Sequence, residues 1–209
     1  MSPRADAGNV VGNVYDKYRA RNPVVRHLME GFLGAATELY TAAAPQTILE
    51  VGCGEGELAL RLVQHHRATF GTSPTRFAAT DVDVRHVPAN LDPDVSVSEA
   101  SIYELPFADN EFDLVVCCEV LEHLHDPTDG LAELARVAGQ HVLLSTPWEP
   151  VWRAMNLARG KYLRDLGNTP GHVQNFTRRG LHELAQTRLS IVAHRRPLPW
   201  TMLLGAPRR

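Results

Sequence analysis

The chain has 209 residues, 44% of them hydrophobic and 22% charged, which suits one domain with a buried core and excludes collagen, coiled coil and wholesale disorder. Its net charge of −3 conceals a split: residues 1–150 hold 22 acidic and 10 basic side chains, whereas residues 151–209 hold 2 and 11. No stretch approaches 18 apolar residues, so no membrane span is expected.

In chain order, the polar residues 1–23 read as a loose helix or arm without the apolar stretch of a secretory signal. Val25, Leu28, Phe32 and Leu39 recur at helical spacing, which predicts a helix over 24–43, ended by Pro45. A strand over 47–51 follows, then a glycine loop and a helix over 57–66. Strands are expected at 76–81, 95–98, 112–118 and 141–147, with a short helix at 83–91 and a longer one at 128–138. Residues 148–176 read as irregular and basic. Thr177 is placed to cap a helix over 177–187, and 189–196 with 199–205 form a closing strand pair. Strands that are near-continuous apolar runs alternating with helices imply a doubly wound α/β sandwich, its sheet mostly parallel and covered on both faces. Ligands of such sheets bind beyond the carboxyl ends of the strands. Gly52 to Gly56, Asp81, Ser101, Cys117 to His123 and Pro147 all lie there. Three cysteines without CxxC spacing give neither a disulfide framework nor a metal knuckle, and a reducing cytoplasm is the default setting.

Two places carry chemistry. In ILEVGCGEGELA, glycines at 52, 54 and 56 let a ligand approach the backbone, and the helix that follows offers unpaired N–H groups to an anion. Glu50, inside the strand end, either binds a ligand ammonium or fixes the loop. Asp81, at the end of the next strand, either accepts protons from ribose hydroxyls or caps a turn. In EVLEHLHDP, Glu119, Glu122 and His123 share one face if a helical turn begins at Glu119. Three readings stand open. Glu122 or His123 is a general base; the trio holds a divalent metal; or the three are structural. His125 reads as an exposed loop residue.

The segments EVGCGEG (50–56), ATDVD (79–83), ASIYELPFADNEFDLVVCCEVLEHLHDP (100–127) and HVLLSTP (141–147) occur in an order that resembles the class I S-adenosylmethionine-dependent methyltransferases of type 11. The glycine spacing differs from the GxGxxG of nicotinamide-binding Rossmann domains. The resemblance covers residues 45–147 closely and 176–205 loosely, and implies a Rossmann-like sheet with an antiparallel closing strand. It implies that Glu50, Gly52 and Gly54 border the methionine part of S-adenosylmethionine, with Cys53 in the same loop. Asp81 would hold the ribose and Val82 would pack on the adenine. Ser101 and Ile102 would stand at the adenine edge, Ser101 where the family often has an acid. Cys117 and Glu119 would lie near the sulfonium and methyl group. EVLEH is similar to the corresponding segment of ubiquinone-pathway O-methyltransferases. It is also similar to the metal-binding segment of small-RNA 3′-terminal 2′-O-methyltransferases, in which a later histidine completes the site. His172 is the candidate for that later ligand, beside Glu119, Glu122 and His123.

The chain is thus divided into a helical arm (1–44), a cofactor-binding core (45–147), a substrate-side insert (148–176) and a closing helix with a strand pair (177–209). In the insert, Trp148, Trp152 and Tyr162 suit a ring or acyl chain. Arg153, Arg159, Lys161 and Arg164 either clamp an anion or solvate a helix face. The charge split has the same two faces: mutual attraction of the two parts, or a basic wall over an anionic substrate. The expected reaction is O-methylation of a small-molecule acceptor, neutral or anionic, with His123, His172 and Glu122 as catalytic candidates. Methylation of an RNA end is the alternative, disfavoured by the acidic balance and the lack of a basic appendage. A non-catalytic cofactor-binding partner is the other.

Overall fold

A computed structural model describes residues 22–160, 162–169 and 171–209. The expected arm up to residue 21, Lys161 and the side chain of Arg164 lie outside the described residues. Helix α1 (Pro23–Ala43) begins where the Asn22 side chain accepts the Val24 N–H and proline occupies the first turn. It ends at Ala44, in the left-handed conformation, just before Pro45. Then follow β1 (Thr47–Val51), α2 (Glu57–Phe70), β2 (Arg76–Asp81), β3 (Val95–Glu99), β4 (Phe112–Cys118), α3 (Pro127–Val137), β5 (Ala138–Pro147), α4 (Glu149–Ala158), α5 (Arg178–Gln186), β6 (Leu189–Arg195) and β7 (Trp200–Pro207).

The strands form one sheet in the order β3-β2-β1-β4-β5-β7-β6. The first five are parallel, and β7 runs antiparallel between β5 and β6. Successive side chains of a strand point to opposite faces. Ile48, Leu114, Val116, Leu143 and Met202 accordingly pack under α1 and α2, while Leu49, Val115, Leu144 and Leu203 pack under α3 and α5. The first layer also buries a polar pair, Tyr40 hydroxyl to His66 Nδ1 at 2.9 Å, which ties α1 to α2. Burial pushes the Tyr40 phenol up and the His66 imidazole down, so both stay neutral.

Three expectations are corrected. The helix over 83–91 is only a 3₁₀ turn at Val84–His86, because Pro88 has no N–H to donate and Val87 before it is held extended. Residues 148–176 are not wholly irregular: α4 occupies ten of them, with Pro150 harmless in its first turn. Strand β5 starts three residues early, at Ala138, directly from the end of α3. The threonine cap is as expected, with Thr177 accepting the Gly180 N–H at 2.9 Å.

Candidate active site

From β1 the chain lays β2 and β3 outward on one side, then returns to place β4 on the other. The crevice beyond the carboxyl ends of β1 and β4 is therefore the expected ligand position. The two loops touch there. Gly52 has φ +79°, and a Cβ on it would overlap the Val120 side chain, so only glycine fits. The Thr80 carbonyl accepts the Gly52 and Cys53 N–H groups at 2.7 and 3.0 Å, pinning the loop to the end of β2. Helix α2 opens at Gly56 with no side-chain cap, leaving its first amides to other partners.

Glu50 is 3% exposed, and among the described residues its Oε2 has no hydrogen-bond partner. Burial pushes its carboxyl up to about 8; the Asp81 carboxylate acts in the same direction, and the Ala59 amide at the start of α2 opposes them. A buried carboxyl in that condition suits a cation. Asp81 accepts the Gly54 N–H at 2.8 Å and the Asp83 N–H at 3.2 Å. Beside it Val82 is 41% exposed, an open apolar surface at the edge of the crevice. The Ser101 hydroxyl accepts the Tyr103 N–H at 3.3 Å.

Three residues placed at the cofactor site by the resemblance have buried side chains. The Cys53 thiol is turned into the first core layer, and Cys117 and Ile102 are buried in the second. Burial raises both thiols, so neither cysteine is a ready thiolate. The cause is strand alternation: Cys117 points to the α3 side of β4, and Cys118 to the other.

Glu119 follows β4 in the left-handed conformation, φ +61°. Its carboxylate accepts the Ser145 hydroxyl at 3.0 Å and the Trp200 indole N–H at 2.6 Å. Trp200, buried on β7 and tilted against Trp152 with centroids 5.7 Å apart, thus holds Glu119 in place. Nothing in the local sequence near Glu119 pointed to Trp200, which lies 81 residues away.

The expected cluster closes without Glu119. Glu122, His123 and His172 each present one ligand atom, all within 4.8 Å of one another. The His123 and His172 rings meet edge to face at 5.0 Å. His123 Nδ1 lies 2.9 Å from the Gly171 carbonyl oxygen, and His172 Nδ1 lies 2.6 Å from Glu149 Oε1. Glu122 takes part through its backbone as well, its carbonyl accepting the Val173 and Gln174 N–H groups. Glu50 on β1 pairs in register with Val116 on β4.

Helix α4 hangs the loop that carries His172. The Trp152 indole donates to Thr169 Oγ1 at 2.8 Å, and Asn156 Nδ2 donates to the Gly167 carbonyl at 2.9 Å. Arg153, read as either an anion clamp or a solvated helix residue, donates from Nε to the Leu166 carbonyl at 3.1 Å. Arg153 also lines an open groove of about 440 Å³ with Glu149, Ala154, Leu157, Leu166 and Thr177. Trp148 is covered by the Arg178 guanidinium, 3.7 Å from the ring centroid.

Residues 49–144 match the profile of the family described as "Methyltransferase domain". A probable S-adenosylmethionine-dependent methyltransferase of Mycolicibacterium smegmatis is 32% identical over 146 residues, 69% of this chain and 51% of that one. The ubiquinone biosynthesis O-methyltransferase of Alkalilimnicola ehrlichii is 34% identical over 102 residues, 47% of this chain and 40% of that one. The chain spans about half the length of the curated relatives it matches. Among solved structures, the magnesium protoporphyrin IX methyltransferase of Synechocystis with bound SAH shares the fold. Its TM-score is 0.64 at 16% identity, over 92% of this chain and 94% of that one.

Proposed function

The chain belongs to the class I S-adenosylmethionine-dependent methyltransferases, and from that premise we propose that it methylates a hydroxyl group of a small acceptor. S-adenosylmethionine supplies a methyl group activated by its sulfonium. Glu50 would receive the ammonium of the methionine part, Asp81 the ribose hydroxyls, and Val82 with the Ser101–Ile102 turn the adenine. Gly52 and Gly54 would let the backbone approach. Glu119, held by Trp200 and Ser145, would line the sulfonium side. We read residues 45–147 as the cofactor half and 148–176 as the cap over the acceptor.

The observation that carries the acceptor side is the convergence of Glu122, His123 and His172 within 4.8 Å of one another. When bound, the cofactor would supply its methyl group to the acceptor oxygen, the carbon–sulfur electron pair staying with sulfur. The hydroxyl proton goes to an imidazole nitrogen of His172 or His123. Positioning of the two reactants supplies much of the rate. The similarity to an O-methyltransferase of ubiquinone biosynthesis supports oxygen as the acceptor atom.

The experiment offers methyl-tritiated S-adenosylmethionine with phenols, quinols, hydroxylated glycans and RNA 3′ ends, and identifies products by mass spectrometry. A methyl ether on a small acceptor supports the proposal. Label on RNA ends alone favours the alternative, and tight cofactor binding without any transfer favours a non-catalytic partner.

One observation favours a second reading of the same cluster. A carboxylate and two imidazoles in reach of one point suit Mg²⁺, Mn²⁺ or Zn²⁺. Glu122, His123 and His172 would hold the ion, which would lower the pKa of the acceptor hydroxyl. Full activity after exhaustive chelation removes this reading and leaves the general base.

A further inference from the structure

Glu149 is assigned no role by the motifs of this chain, yet it is among its most buried charged residues at 3% exposure. It is the first residue of α4, with one residue between it and the end of β5, and its N–H is held by the Phe176 carbonyl at 3.1 Å. Its Oε1 meets His172 Nδ1 at 2.6 Å, with both side chains almost wholly shielded from water. Among the described residues, its Oε2 has no hydrogen-bond partner. Among the described residues, the imidazole is thus the one hydrogen-bond partner of this carboxylate, in surroundings where such a contact is strengthened by the low local dielectric.

We propose that Glu149 is a positioning residue that fixes the tautomer of His172 and turns its Nε2 lone pair toward the acceptor. A carboxylate only accepts, so the short contact requires a proton on Nδ1. In the neutral ring, Nε2 is then the nitrogen that carries the lone pair. The neighbouring His123 is set the same way by a different group. Its Nδ1 faces the Gly171 carbonyl, which also only accepts. Both constraints come from the segment 149–172, so the cap prepares both bases together. The inference rests on the reading of His172 as the acceptor-side base. The chemistry it fits is removal of a proton from an acceptor hydroxyl, and the imidazolium so formed would be stabilised by the Glu149 carboxylate.

The test needs no acceptor. In the ¹⁵N-labelled full chain at a pH where imidazoles are neutral, long-range ¹H–¹⁵N spectra report which ring nitrogen of His172 bears the proton. The expected result is a protonated Nδ1 and an unprotonated Nε2. In Glu149→Ala the preference is lost and the proton moves largely to Nε2, while calorimetric affinity for S-adenosylhomocysteine stays within about twofold, a difference of roughly 0.4 kcal/mol. A proton on Nε2 of His172 in the parent chain overturns the proposal, whatever the variants do. An unchanged tautomer in Glu149→Ala, or in Glu149→Met, which keeps the bulk without a strong acceptor, if the first does not fold, also overturns it. With a working acceptor, Glu149→Ala should lower kcat about 10- to 100-fold, part of what a general base contributes, and Glu149→Asp should restore a share of it. If the tautomer result holds and no acceptor is ever methylated, the proposed function fails while the fixing of the His172 tautomer by Glu149 stands.

Discussion

At the scale of single residues, the site is organised by carboxylates in contrasting company. Asp81 is part-exposed and holds two backbone amides of the crevice. Asp81→Ala should weaken S-adenosylmethionine binding by about 1–3 kcal/mol, the value of hydrogen bonds lost to a bound ligand. Calorimetry checks this, and binding of NADH in place of S-adenosylmethionine would overturn the assignment. Glu50 is buried instead. In the unfolded chain its carboxyl titrates near 4.5, and in the cofactor-free fold at about 8. Between those values the folded chain keeps a proton that the unfolded chain has lost, so Glu50 makes stability fall as pH rises through that window. Glu50→Gln removes the loss. Its melting temperature relative to the parent should therefore climb between pH 5 and pH 8, by at least about 2–4 °C, the shift that 1 kcal/mol produces in a domain of this size. A difference that shrinks with pH would contradict the burial argument. Both acids stood out in the sequence because Asp81 ends β2 and Glu50 lies one residue inside the end of β1. Glu149 was not, since its role depends on His172, 23 residues away, arriving beside it.

At the scale of elements, the cap of α4 and the loop after it decides where the histidine sits. Asn156 is buried and donates to the Gly167 carbonyl and to Thr169 Oγ1, at 2.9 and 3.2 Å. Asn156→Ala should free the loop at a local cost of about 1–3 kcal/mol. Amide exchange of residues 166–172 should then quicken and acceptor KM should rise, while cofactor affinity stays nearly constant. Unchanged exchange would show that the loop is held by other contacts. Arg153 enters here too: its Nε is spent on the Leu166 carbonyl, so its loss would disturb the loop as well as any anion. The strands and α5 could be anticipated from apolar runs and the Thr177 cap. Helix α4 also carries apolar residues at helical spacing (Val151, Trp152, Met155, Ala158), so a helix was legible there, but its packing partners were not. Its buried face is defined by Trp200 and by the loop, both distant in sequence.

At the scale of the molecule, ligand binding and folding are linked. A ligand that binds only the folded chain, at about 100 times its Kd, adds about 2.7 kcal/mol. S-adenosylhomocysteine at that level should therefore raise the melting temperature by about 5–10 °C. A shift absent with this ligand but present with NADH would reverse the functional reading. The charge split between the two parts of the chain is partly met by an ion pair, Arg195 Nε to Glu38 at 2.7 Å, both side chains being well exposed. Exposed pairs of this kind are worth less than about 1 kcal/mol. The two apolar layers on either side of the sheet, not charge, hold the basic part to the acidic one.

What the sequence determined by itself is the sheet and the crevice. Near-continuous apolar strands alternating with helices, glycines at the first turn and acids at strand ends are local signals, each set by the chemistry of a few neighbouring residues. Only the tertiary structure decided which side chains meet. Alternation turned Cys117 away from the crevice, and Trp200 and Ser145 took hold of Glu119, keeping it out of the histidine cluster. The cap brought His172 to His123 and seated it on Glu149. Those contacts join segments tens of residues apart, and their energies depend on burial and mutual distance, which no local pattern of residues contains.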